Sequence, residues 1–242
     1  MNIKPILFNT EMVKAILDGR KTVTRRIANI NQEISCLYGE HEFILDSFTG
    51  GQATGFVCRK CGFGVAPPHS RYPVGTSVFR PRYLPGDILY VRETWDNEPV
   101  TPGGHFRPSG VWYYKADGDM RPEAWRGNWH PSIHMPKEAA RLFLRVKNVW
   151  VERLRDITIP SAISEGCEGI RCYHPNPIPG IGCADCYNTG WIESPIMEFA
   201  ELWDSTIKPS EKEKYGWVAN PWVWANEFER CEKPVEAMND GR

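Results

Sequence analysis

The sequence predicts an α+β fold of 242 residues read as a single domain, 1–242, with extended strands, short helices and two inserted loops. Three observations predict it. Alternation with period two recurs at Asp87–Glu93, Arg141–Leu154 and Trp222–Phe228, which is the pattern of half-buried strands. Helical spacing is confined to short stretches around Met12 and Phe199. Segments 31–72 and 167–192 carry cysteines, glycines and prolines but little core-forming pattern, so they read as insertions rather than as parts of the main sheet. Hydrophobic residues make up 41% of the chain, enough for a real core.

In chain order, the first helix follows Thr10 as its N-cap, repeats apolar residues at Met12/Ile16 and Val13/Leu17, and stops at Gly19. Pro85-Gly86 turns the chain into the strand Asp87–Glu93, with Leu89, Val91 and Glu93 on one face and Ile88, Tyr90 and Arg92 on the other. Val111–Lys115 is a short strand, and Arg141–Leu154 is a long one with a bend near Asn148. Phe199, Leu202 and Trp203 form an apolar stripe on a helix at Met197–Ile207. A polar linker, Lys208–Gly216, and the turn at Asn220-Pro221 lead into the final strand.

The stretch richest in chemistry is Gly19-Arg20-Lys21-Thr22-Val23-Thr24-Arg25-Arg26. Neighbouring guanidiniums and partial burial favour the free amine of Lys21, which then is a base for the Thr24 hydroxyl. Lys21 and Thr24 meet only if the backbone turns between them, because residues three apart lie on opposite faces of a strand. Arg26 and the backbone N–H groups around Thr24 are candidates to stabilise an oxyanion. Further on, Arg92, Glu93 and Trp95 suit a flat base, with the ring stacking and the charges bonding its edge. The plain alternative is a salt bridge beside a core tryptophan.

Eight cysteines in a chain read as cytosolic point to metal before disulfides. Cys58-Arg59-Lys60-Cys61-Gly62 is a knuckle that lets two thiolates face one ion, with Cys36 and His41 upstream to complete a tetrahedron. Cys172, Cys183 and Cys186 form a second set, with His174 or Cys167 as the fourth ligand. Zinc held by four protein ligands leaves no position for a water, so one or two such sites are structural and none is catalytic.

The net charge of −1 speaks against nucleic-acid binding by bulk electrostatics, so any such partner is read by a local pocket. No run approaches the roughly 18 apolar residues of a membrane span, and the N-terminus lacks the apolar stretch of a secretory signal. The expected place is the cytoplasm.

The strings ILFNTEMVKAILDGRKTVTRR, PGDILYVRETW, HPSIHMP, ERLRDIT, SAISEG and NPWVWANEFER occur here in the order found in ASCH-domain proteins of bacteriophages and prophages, and the chain resembles that family over most of its length. The resemblance implies a PUA-like fold, a small β-barrel with helices at its rim. It also implies an amidohydrolase acting on an N4-acetylcytidine-like base, with the family's Lys at Lys21, its Thr at Thr24 and its Glu at Glu165. The small deacylating members lack both cysteine-rich insertions. A noncatalytic module that binds modified nucleotide or single-stranded RNA is the alternative implied by the same fold, with a ribonuclease behind it.

Overall fold

The structure is a computed structural model and describes residues 2–28, 43–46, 55–58, 64–65, 81–99, 108–123, 126–172 and 191–234. The first half holds β1 (Ile3–Leu7), α1 (Thr10–Leu17), β2 (Val23–Ile27), β3 (Phe43–Asp46), β4 (Gly55–Cys58) and β5 (Gly64–Val65). Then come β6 (Ile88–Arg92), β7 (Trp95–Pro99), β8 (Pro108–Tyr114) and β9 (Phe143–Arg153). The remainder is α2 (Ile159–Ser164), β10 (Ile170–Arg171), β11 (Trp191–Glu193), α3 (Pro195–Thr206), α4 (Lys212–Tyr215) and β12 (Trp222–Cys231). The α+β class stands.

The main sheet has five strands in the order β1-β6-β9-β12-β2, and β1 runs parallel to β6 while β6 runs antiparallel to β9. The described strands make open sheets. The closed barrel implied by the family resemblance is therefore corrected, because β1 and β2 end the sheet without pairing to each other.

The chain divides into two compact units. The first comprises 1–22, 85–147 and 227–242, and the second 23–84 and 148–226. In the first unit both faces of β6 are covered, so Ile88, Leu89 and Val91 are all buried instead of alternating in and out. Ile88 packs with Trp95, Met135, Ala139, Ala140 and Phe143. Helix α1 begins one residue earlier than expected: the cap is Asn9, whose side chain accepts from the N–H of Met12 at 2.8 Å, and Thr10 is the first helical residue. Gly19 ends it at φ +77°, a conformation that disfavours a β-carbon.

In the second unit, Leu154, Ile157, Ala162, Cys167, Phe199, Trp203 and Val223 form one apolar cluster between α2, α3 and β12. The helix expected at Met197–Ile207 starts at Pro195, capped by Ser194, because proline is favoured in a first helical turn. The first inserted segment, read as loop, contains the antiparallel sheet β3-β4-β5. Gly169 sits at φ +61°, and a β-carbon there would lie 2.6 Å from the Glu193 carbonyl oxygen and 2.7 Å from Pro195. Its N–H donates to the Glu198 carboxylate at 2.8 Å. Gly169→Ala is therefore expected to lose about 1–3 kcal/mol of stability in chemical denaturation, whereas Gly118→Ala, with open space around it, loses less.

Candidate functional site

Strand β2 presents three polar side chains in a row, and its pairing with β12 decides which way each one faces. The N–H of Ala28 donates to the Trp222 carbonyl at 2.9 Å and that of Phe228 to the Thr22 carbonyl at 2.8 Å, which fixes an antiparallel register. Counting inward, Thr24 lies opposite Asn226 and Arg26 opposite Trp224. Side chains alternate along a strand, so Thr24, Arg26, Asn226 and Trp224 share one face and Arg25 projects to the other.

On the first of these faces Thr24 is fully buried, and its Oγ1 accepts a hydrogen bond from Arg26 Nη1 at 2.7 Å. The same nitrogen donates to the carbonyl of Arg25 at 2.8 Å. Burial pushes the Arg26 guanidinium below its ordinary value, while the charge of Glu165 and the phenol of Tyr83 push it back up. Burial raises Tyr83 against the pull of Arg82 and Arg26. Asn226, 1% exposed, donates through Nδ2 to the carbonyls of Thr24 at 3.2 Å and Trp224 at 3.1 Å. Two carbonyl acceptors fix the amide orientation, and its Oδ1 is left as a buried acceptor with no partner.

On the second face Arg25 uses its whole fork. Nε donates to Glu152 Oε1 at 2.7 Å, Nη2 to Ser161 Oγ at 2.6 Å, and Nη1 to Glu165 Oε1 at 3.1 Å. Glu152 is itself held by the indole N–H of Trp150 at 2.7 Å. Glu165 reaches this position as the C-terminal cap of α2, a helix whose ends are set by the Thr158 side chain and by Gly166 at φ +98°. Sequence reasoning placed Glu165 on a helix but gave Arg25 only the role of a nearby charge. The alternation that turns Arg25 away from Thr24 and toward Glu165 was the signal available for more.

Lys21 belongs to the other unit and is 2% exposed, with its ammonium 5.7 Å from the centre of the Phe8 ring. The base-binding trio Arg92, Glu93 and Trp95 is largely committed to the protein. Arg92 donates from Nε to the Met135 carbonyl at 2.8 Å. Glu93 is gripped by Arg141, whose Nε and Nη2 lie 2.9 and 3.1 Å from its two oxygens and which also bonds Asp117 at 3.0 Å. The ring of Tyr114 lies 3.9 Å from the Arg141 guanidinium carbon, and burial pushes that phenol up to about 12. Trp95 packs against Trp112 and His130. The partners differ from the salt bridge weighed for these two residues: Glu93 pairs with Arg141, which the sequence reading had not singled out, and Arg92 bonds a backbone carbonyl.

Of the metal candidates, Cys36, His41, Cys61, His174, Cys183 and Cys186 lie outside the described residues, and Cys58 is placed as the last residue of β4. Among the described residues no three metal-ligating side chains come together. Cys172 is half-buried, and Cys167 is packed in the apolar cluster, where a cysteine serves as a small apolar side chain.

The chain matches no family model, no curated protein and no solved structure.

Removing one member of the Arg25 network leaves buried charges uncompensated. Arg25→Met is expected to cost about 3–5 kcal/mol in chemical denaturation, and Arg25→Lys to fall between it and the wild type because one ammonium cannot span three acceptors. For Glu93, burial raises the pKa and Arg141 opposes the rise. Its carboxyl should therefore titrate above 4.5 by carbon-13 NMR, and higher still in Arg141→Leu. A raised folded-state value stabilises the fold at pH below the unfolded pKa and loses that contribution as pH rises through the folded one.

Proposed function

We propose that the chain is an amidohydrolase that removes an acyl group from a modified nucleobase of the N4-acetylcytidine kind, in a fold related to the PUA-like modules. The observation that carries the reading is the 2.7 Å hydrogen bond from the Arg26 guanidinium to the fully buried Thr24 hydroxyl. A cation bonded to a hydroxyl stabilises the alkoxide, and so supports Thr24 as nucleophile.

In the proposed reaction Lys21, as free amine, takes the Thr24 proton while Oγ1 bonds to the acyl carbon. Arg26 and backbone N–H groups hold the charge that develops on the acyl oxygen. The carbon–nitrogen bond breaks, the exocyclic nitrogen of the base leaves with a proton, and water then hydrolyses the Thr24 ester to release a carboxylate and restore the hydroxyl. Glu165 either orients Lys21 or protonates the leaving nitrogen. The unpartnered Oδ1 of Asn226, on the same sheet face as Thr24, supports it as the acceptor for a substrate N–H.

A second reading, a noncatalytic module for modified nucleotide or single-stranded RNA, is favoured by the complete burial of Thr24, since a nucleophile must be reached by its substrate. No described helix is long and apolar enough to cross a membrane, and the reading places the protein in the cytoplasm.

Structural zinc belongs to the same proposal. In β3 and β4, Phe43 pairs with Cys58, so the strand that follows His41 begins beside the strand that ends in the Cys58-x-x-Cys61 knuckle. Thiolates and imidazole from Cys36, His41, Cys58 and Cys61 suit a tetrahedral zinc, and Cys172, His174, Cys183 and Cys186 a second.

The test is incubation with N4-acetylcytidine, following release of cytidine. Thr24→Ala and Lys21→Ala are expected to lower kcat by about 100-fold or more, and Asn226→Leu to act mainly through KM. Binding of the nucleoside without any turnover would move the assignment to the second reading. Elemental analysis of protein purified without chelator should find one or two zinc ions per chain, and fewer than one would remove the metal sites.

A further inference from the structure

Two carboxylates meet Arg25, and they hold it unequally. Glu152 Oε1 lies 2.7 Å from Nε and 2.6 Å from Nη2, the side of the guanidinium that grips a carboxylate in a fork. Glu165 Oε1 meets Nη1 at 3.1 Å, the longest of the three contacts. Burial ranks the two acids the other way, since the Glu152 side chain is 20% exposed and that of Glu165 3%. A buried carboxylate gains most from a cation, yet here the outer one has the shorter contacts.

The strands explain how Glu152 comes to that place. Arg25 on β2 must reach past β12 to meet β9, and the register that sets Thr24 opposite Asn226 sets Arg25 opposite Ala225, a fully buried residue whose single methyl group takes little of the space. Trp150 and Glu152 are two residues apart on β9 and project to one face. The Trp150 indole N–H donates to Glu152 Oε2 at 2.7 Å, so one oxygen of Glu152 is fixed by the ring and the other by Arg25. Across β2, Arg26 feels the Glu165 charge, which holds up its guanidinium against the effect of burial.

We propose that Glu152 is the counter-ion of Arg25, a positioning residue that leaves the charge of Glu165 to act on Arg26 and on the groups around Thr24. A guanidinium with one acid in reach closes on it through two parallel bonds, and the pair is then neutral. With Glu152 on the Nε side, Arg25 is already compensated when Glu165 meets it, so the network of two acids and one buried cation carries an excess of one negative charge. That charge acts on the Arg26 guanidinium, which bonds the Thr24 hydroxyl. What this does for turnover rests on the amidohydrolase reading, in which Glu165 orients the amine or protonates the leaving nitrogen. The sharing of Arg25 does not.

The experiment compares Glu152→Gln, Glu165→Gln and the double variant in the full chain, by chemical denaturation and by turnover of N4-acetylcytidine. Each single variant is expected to fold, because the other acid still meets Arg25. The double variant leaves the buried cation uncompensated, so its folding constant should fall about fivefold or more below the product of the single effects. A double variant that does not fold while both single ones do is the extreme of that result. In turnover, Glu152→Gln should lower kcat about tenfold with KM unchanged, and Glu152→Asp should restore part of it. The proposal is overturned if the stability losses multiply to within about twofold, if Glu152→Gln alone does not fold, or if an active wild type keeps its kcat in Glu152→Gln. A wild type without turnover would sink the amidohydrolase reading by itself, and the stability cycle would then decide on Glu152.

Discussion

Arg25 brings a full positive charge into a space from which water is almost absent, with its side chain 1% exposed. Such a charge is tolerated when every donor finds an acceptor. Here Glu152 from β9, Ser161 from α2 and Glu165 at the end of α2 supply them, and the guanidinium also lies over the Phe199 ring at 5.7 Å. One side chain on β2 thereby ties together β9, which lies beyond β12 in the sheet, the helix α2 and the Phe199 ring of the apolar cluster. The arrangement is poor evidence for stability, since a well-packed apolar substitute for the whole set would do as well. It is better understood as fixing where the Glu165 carboxylate sits.

That constraint has a chemical consequence for the other face of β2. With Arg25 occupied by carboxylates, Arg26 is the guanidinium left beside Thr24, and it responds to Glu165 through its charge while bonding the Thr24 hydroxyl directly. A short polar run thus separates into two functions by strand alternation. One arginine holds a carboxylate in place, and the next bears on a hydroxyl. Asn226 completes the Thr24 face with an acceptor already aligned by two carbonyls.

The strands and helices with clear periodicity were legible in the residues, and so were the turns at Gly19, Gly86 and Asn220, because each depends on local backbone preference. That the described sheets stay open was not, since closure depends on which distant edges pair and no single segment encodes that. The Asn9 cap was missed in favour of Thr10 because both residue types cap well and only the position of the Met12 N–H separates them. The candidate site was legible as a list of residue types, but its connections were not. Arg25 with Glu165 is a contact across 140 positions, and Glu93 with Arg141 one across 48. Asn226 carried no signal at all in the sequence, because an asparagine becomes informative when its amide is buried and its partners can be counted.

The claim that Arg25 sets the place of Glu165 is tested most directly by a double-mutant cycle in which Arg25→Met and Glu165→Gln are combined and stability in chemical denaturation is followed. The account predicts strong coupling, with the double variant recovering about 1–3 kcal/mol of the summed losses. Losses that add within about 0.5 kcal/mol would show two side chains acting independently, and would contradict it.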